Sequence, residues 1–307
     1  MNSDAWLDYF RSNAGRPGGS IDPRAGRLPP SLCRVLADSL GRFYLGEAGE
    51  GRIATEAARA DDVALDDATR EAIALYVREE GRHAKELTAM LGVLGSSPPT
   101  SSLSEKLFRR GRRLLGLRTK MMAIAAAEVV GLVYYRTLEE EIEEIAEVVG
   151  TIADDEEAHL AFQAEYFGRV IARGPTSFAP VRALAVAAGF VVVVTCATGV
   201  VSFGHRELWR ALGVSPVRFA ARCARQASHA ALACATRGTT PVATSSVGVG
   251  AGAAAAHGEK ACVQGVRRVL GHVEPGRRGV RSEVLVRNAR LAARDAGGAL
   301  GNTHGLA

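Results

Sequence analysis

Two short segments, Glu79-Glu80-Gly81-Arg82-His83 and Asp155-Glu156-Glu157-Ala158-His159, each contain Glu-x-x-His. Residues three apart share one face of an α-helix, so each segment aims a carboxylate and an imidazole the same way. His83 and His159 are the only histidines before His205. Between them, the run from Met121 to Tyr135 holds a single charged residue, Glu128. A lone ionised carboxylate is expensive to bury unless it meets a partner or a metal. One Glu-x-x-His alone reads as a solvent-facing Glu–His pair on an amphipathic helix, since the motif is short and common. Two of them, with Glu128 between, call for helices that face one another around a shared polar interior.

The hydrophobic spacing supplies such helices. Pro30-Ser31 reads as a helix start with Ser31 as N-cap, followed by Val35, Leu36, Leu40, Phe43 and then Glu47. A second helix is expected over about 67–93, with Ile73, Val77, Glu80, Ala84 and Leu87 on one stripe. GSSPPTSS at Gly95–Ser102 is a loop. A third helix covers about 119–138. A fourth covers about 140–172, with Ile142, Ile145, Val149, Ile152, Glu156, His159 and Phe162 on one face. No strand-like alternation interrupts 31–172, so the expected class is all-α, an antiparallel four-helix bundle. Residues 1–30, with Pro17, Gly18, Pro23, Pro29 and Pro30 among charges, read as a flexible arm.

The second and fourth helices give Glu80, His83, Glu156 and His159, and the third gives Glu128. The first offers Glu47 or Glu50 from LGEAGEGRIA. Four carboxylates and two imidazoles suit two iron ions, or manganese, between four helices. Zinc prefers a tetrahedral set richer in nitrogen and sulfur. Order and composition together resemble the ferritin-like superfamily of di-iron carboxylate proteins over residues 31–172. Gly46-Glu47-Ala48-Gly49-Glu50-Gly51-Arg52-Ile53 is similar to the helix-one motif GExGxxRI of demethoxyubiquinone hydroxylases. The resemblance implies Glu47 rather than Glu50 as the helix-one ligand. It also implies that Asp155 holds His83 and Glu79 holds His159, each as an outer carboxylate on the free ring N–H. Tyr134 and Tyr135 are expected either to line a channel or to be plain core.

The resemblance implies an oxidase or hydroxylase that uses O2 or peroxide, with a hydrophobic, quinone-like substrate. The alternative is a ferritin-like protein that handles iron or scavenges peroxide without an organic substrate. Two further stretches bear on this. Lys106–Lys120, KLFRRGRRLLGLRTK, is either an interfacial basic amphipathic segment or a solvated connector. Ala183–Gly204 has no charged residue and reads either as a helix packed on the bundle or as a membrane-seated one, since about 20 residues span a bilayer. It is followed by a basic helix-turn-helix to about residue 226, making 183–226 one segment. Residues 227–307 are rich in Ala, Gly, Ser and Thr and read as a low-complexity, disordered tail.

A net charge of +5 is too mild to call for nucleic acid. Five scattered cysteines, Cys33, Cys196, Cys223, Cys234 and Cys262, without a CxxC pair, argue against a disulfide framework or a zinc ribbon. The polar start MNSDAWLDYF has no signal-peptide pattern. A cytoplasmic protein, peripheral to the inner face of the membrane, is the expected setting.

Overall fold

A computed structural model describes residues 3–49, 51–62, 64–100, 116–173 and 175–239. Glu50, the basic residues 106–115 and the stretch 240–307 lie outside these. Among the described residues all regular structure is helical. The helices are α1 (Ser3–Asn13), α2 (Pro30–Glu47), α3 (Gly51–Arg59), α4 (Asp67–Val93), α5 (Leu117–Glu141), α6 (Ala146–Ala172), α7 (Ala179–Gly204), α8 (Arg206–Leu212) and α9 (Pro216–Thr239), with short 3-10 turns at Pro23–Arg27, Glu143–Ile145 and Thr176–Phe178.

The four helices expected between 31 and 172 are α2, α4, α5 and α6. Asp66 caps α4, its carboxylate accepting from the Thr69 amide at 2.8 Å, which satisfies one of the free N–H groups of the first turn. α2 starts differently from expectation. Pro29 occupies the cap position and Pro30 the first turn, where a missing N–H costs nothing, so Ser31 is not the cap. α5 and α6 form an antiparallel hairpin: Arg136 meets Asp154, Glu139 packs at Gly150 and Glu128 meets Gln163. Arg118 and Lys120, at the start of α5, are held by Asp62 and Glu56 at 2.9 and 2.6 Å. Those two cations of the basic segment are therefore engaged within the fold.

The N-terminal stretch is not a loose arm. Trp6 and Phe10 of α1 are fully buried, with ring centroids 5.7 and 5.2 Å from that of Phe162 on α6. The prolines between Arg16 and Pro30 masked a helix whose signal, Trp6, Leu7 and Phe10 at helical spacing, was present before them. Phe10→Ala should cost about 3–5 kcal/mol in denaturant unfolding of the full chain, the usual loss for a buried aromatic. A cost below about 1 kcal/mol would mean that α1 is not packed as described.

The C-terminal boundary also moves. α8 and α9 form the expected helix-turn-helix, with Gly213 at φ 64°, a left-handed conformation that glycine adopts without a steric penalty. α9 continues past residue 226 to Thr239, and Ala227, Ala230, Ala233 and Cys234 are buried in the same core cluster as Trp6. Small side chains looked too poor to pack, but they bury well where helices approach closely. Residues 227–239 are thus part of the folded unit and not of a tail.

α7 takes one feature from each of its two readings. Phe190 and Val194 pack inward against the bundle. Leu184, Val192, Val200 and Phe203, on other sides of the helix, are 62% to 73% exposed. It is long and apolar enough to cross a membrane by length and composition.

Candidate metal centre

The site forms where α2, α4, α5 and α6 meet. In α4 and α6 the three-residue spacing places Glu80 beside His83 and Glu156 beside His159. α5 contributes Glu128, and α2 contributes Glu47 from its last residue. α2 does not run through the glycine motif. It stops at Glu47, and the Ala48 and Gly49 amides turn back to the carbonyls of Tyr44 and Gly46. The glycines of GEAGEGRI thus favour a helix break rather than close approach in mid-helix. Glu50 falls outside the described residues.

Donor atoms of Glu47, Glu80, His83 and Glu156 lie within 4.8 Å of one another, and so do those of Glu80, Glu128, Glu156 and His159. Each group could hold a metal ion, and Glu80 and Glu156 belong to both. His83 Nδ1 is 3.5 Å from Glu156 Oε1 and 3.8 Å from Glu47 Oε2. His159 Nδ1 is 3.0 Å from Glu80 Oε1, 3.4 Å from Glu156 Oε2 and 3.8 Å from Glu128 Oε2. Both histidines are fully buried. Glu80 Oε1, Glu156 Oε2 and both Nδ1 atoms are buried without an aligned hydrogen bond. An unmet buried polar atom costs about 1–3 kcal/mol, so four of them converging on one point ask for a further occupant.

Behind the imidazoles stand the two outer carboxylates. His83 Nε2 faces Asp155 Oδ2 at 3.1 Å, and His159 Nε2 faces Glu79 Oε2 at 2.9 Å. The antiparallel course of α4 and α6 makes the exchange reciprocal, since the residue before each Glu reaches the histidine of the opposite helix. An N–H at Nε2 leaves Nδ1 free to turn its lone pair to the interior. Asp155 is not reserved for His83. It also accepts from Arg82 at 2.5 Å and from Arg16 at 2.6 Å.

No family model, no curated protein and no solved structure matches this chain. The arrangement therefore has to be read from its own chemistry.

Several contributors were not singled out in the sequence. Asn13, at the end of α1, donates to Glu79 Oε1 and, at 3.4 Å, to Asp155 Oδ1, tying the two outer carboxylates together. Tyr76 donates to Glu128 Oε1 at 2.5 Å, and Gln163 Nε2 donates to the same oxygen at 3.3 Å. Glu128 thus has partners within the protein, on α4 and α6. Of the two tyrosines after it, Tyr135 donates to Glu47 Oε1 at 2.8 Å. Tyr134 turns away, to Ser39 at 2.7 Å, and Ser39 in turn contacts His205 Nδ1 at 2.6 Å. For Tyr76 the available signal was its position, one helical turn before Glu80.

The site is electrostatically crowded. Burial and then the Glu47 and Glu128 charges push the Glu80 carboxyl well above the usual carboxylate range. Burial also pushes Glu47 up, but hydrogen bonding from Glu80 and His83 outweighs it and holds Glu47 at about 2. A proton on Glu80 shared with Glu47 accounts for both. Burial lowers His83, yet Asp155 and Glu47 overcome it and raise the imidazole to about 9. His159 is likewise raised well above its usual value against burial, by Glu128, Glu79 and Glu80. Without metal, protons therefore neutralise the cluster. Cations placed between the carboxylates would do the same work.

Proposed function

We propose that this chain is a ferritin-like, non-haem di-iron protein, an O2-activating oxidase or hydroxylase with a lipid-soluble, quinone-like substrate. One observation carries the reading: two four-residue donor groups on four helices share Glu80 and Glu156. Carboxylate-rich donors with one imidazole per position suit iron or manganese better than zinc.

Glu47 and His83 would complete one position, Glu128 and His159 the other, and Glu80 and Glu156 would serve both. Two iron ions held there would supply electrons for the reduction of O2. The chain's own part is orientation and exclusion. Asp155 and Glu79 fix the ring orientation of the histidines, and Tyr135 and Tyr76 hold one oxygen each of Glu47 and Glu128. Phe10, with its ring centroid 6.1 Å from that of His159, helps to close the α1 side of the site. The exposed apolar face of α7 supports a substrate delivered from a lipid phase.

Metal analysis of the full chain from iron-replete expression tests the centre. About two ions per chain are expected, as for paired-carboxylate bundles. One ion or none overturns it. Product formation from a quinone precursor, under O2 with a reductant, tests the substrate. Iron uptake with no product would favour an iron-handling role instead.

A further inference from the structure

Val35, Asp38, Ser39 and Arg42, spaced three and four apart, share one side of α2. Across from them stand His205 and Arg206, where α7 passes into α8. Between the two lies a polar notch with about 90 Å3 of room, about the volume of three waters.

Three buried groups at the notch fix where a proton sits. Tyr134 is fully buried, and its hydroxyl meets only Ser39 Oγ, at 2.7 Å. A buried phenol O–H without an acceptor is costly, so Tyr134 donates to Ser39. Ser39 in turn gives its own hydrogen to His205 Nδ1, 2.6 Å away. The imidazole proton therefore sits on Nε2. Burial and then the Arg42 charge hold His205 down at about 4, so the ring is neutral near pH 6. His205 is 6% exposed, and its Nε2 meets no partner among the described residues. A nearly buried N–H donor thus stands in the notch wall with nothing to donate to.

The charges on the wall divide into committed and free ones. Arg206 lies 3.8 Å from Glu207, with its guanidinium 4.9 Å from the centre of the Phe203 ring. Arg42 and Asp38, both exposed, make no hydrogen bond or ion pair among the described residues. A free guanidinium with a free imidazole N–H suits an oxyanion. A free carboxylate beside them suits an oxyanion that keeps a proton of its own. A phosphate monoester does so, with a second pKa of about 6, whereas sulfate does not.

We propose that this notch binds a phosphate group, inorganic or at the end of a monoester, with its oxygens on Arg42 and His205 Nε2–H and its P–O–H donated to Asp38. None of these residues belongs to the donor groups of the metal centre.

The test titrates the full, metal-free chain with inorganic phosphate and with sulfate, by calorimetry at about pH 6 and constant ionic strength. Phosphate should bind with a dissociation constant on the order of 1 mM, and about tenfold more tightly than sulfate, which meets Asp38 with no proton between them. Arg42→Gln should weaken phosphate at least about tenfold through loss of a charge-assisted contact. Asp38→Asn should bring the phosphate-to-sulfate ratio to about one, since an amide donates to either ion. Both substituted residues are exposed, so neither change opens the core. No phosphate binding up to about 20 mM would overturn the proposal. Equal affinity of the parent for sulfate would do the same, as would an Arg42→Gln chain that binds phosphate like the parent. Glycerol phosphate in solution and phosphatidate in vesicles then identify the source. Tighter, Arg42-dependent binding of the first marks a soluble monoester. Tighter, Arg42-dependent binding of the second marks a lipid headgroup reached along α7, whose exposed Val200 and Phe203 lead to Gly204 at the notch.

Discussion

Glu156→Ala should empty both metal positions, whereas Glu47→Ala should leave one loaded. Glu156 stands in both donor groups, with Oε1 3.5 Å from His83 Nδ1 and Oε2 3.4 Å from His159 Nδ1. Glu47 stands in one. The expected contents are about two ions per chain in the parent, about one in Glu47→Ala and near zero in Glu156→Ala, as a shared bridging ligand requires. Glu156→Gln, which keeps the volume, should follow Glu156→Ala. Stability of the metal-free forms separates ligand from structural roles. Glu156 Oε2 has no hydrogen bond to lose. Glu128 does, since its removal takes away the acceptor of the Tyr76 hydroxyl bond and of the Gln163 amide bond, at a cost of about 1–3 kcal/mol even without metal. Equal metal content in Glu47→Ala and Glu156→Ala would contradict the sharing.

Metal uptake should strengthen by about tenfold per pH unit at each position between pH 6 and 8, because each ion displaces an imidazolium proton. His83 lies at about 9 in the folded metal-free chain, against its ordinary 6.5, and His159 is shifted the same way. A raised folded value means that His83 stabilises the metal-free fold fully below pH 6.5 and progressively less as pH climbs through about 9. Asp155 behaves in the opposite sense. Burial raises it, but His83 and Arg16 bring it down to about 2, so its contribution is present above its ordinary 3.8 and lost as pH falls through about 2. The metal-free chain should therefore be most stable in mildly acidic solution and the loaded chain at higher pH. Chelator competition, corrected for the chelator's own protonation, measures the slope. Calorimetry in buffers of different ionisation heat counts the protons released. A pH-independent corrected affinity would show that the histidines do not bind the ions.

The local part of this architecture was written in the sequence. A spacing of three on a helix puts Glu80 with His83 and Glu156 with His159 wherever the helices go. The apolar period of 67–93 and 140–172 fixes which face turns inward, so both pairs had to be interior. Given that α4 and α6 lie antiparallel, the residues before Glu80 and Glu156, namely Glu79 and Asp155, had to meet the opposite histidines.

What the sequence left open depends on which helix lies against which, and no residue's own neighbours state that. Glu128 in its apolar run demanded a partner, but only packing could name Tyr76 from α4 and Gln163 from α6. Trp6 and Phe10 read as part of an arm because the proline-rich stretch after them hides where the chain returns. The fold brings α1 back over His159 and makes Asn13 the link between Glu79 and Asp155. The run Ala183–Gly204 has an apolar residue on almost every side, so its periodicity could not say which face would pack. Contact with α5, α6 and α9 chose Phe190 and Val194, and left Leu184, Val192, Val200 and Phe203 outside. Residues 227–239 looked too small to build a core, because alanine's burial is decided by the closeness of the neighbouring helix and not by alanine itself. Helical spacing is short-range geometry that the chain carries with it. Partner choice is long-range, and it is settled only when all the faces compete for the same interior.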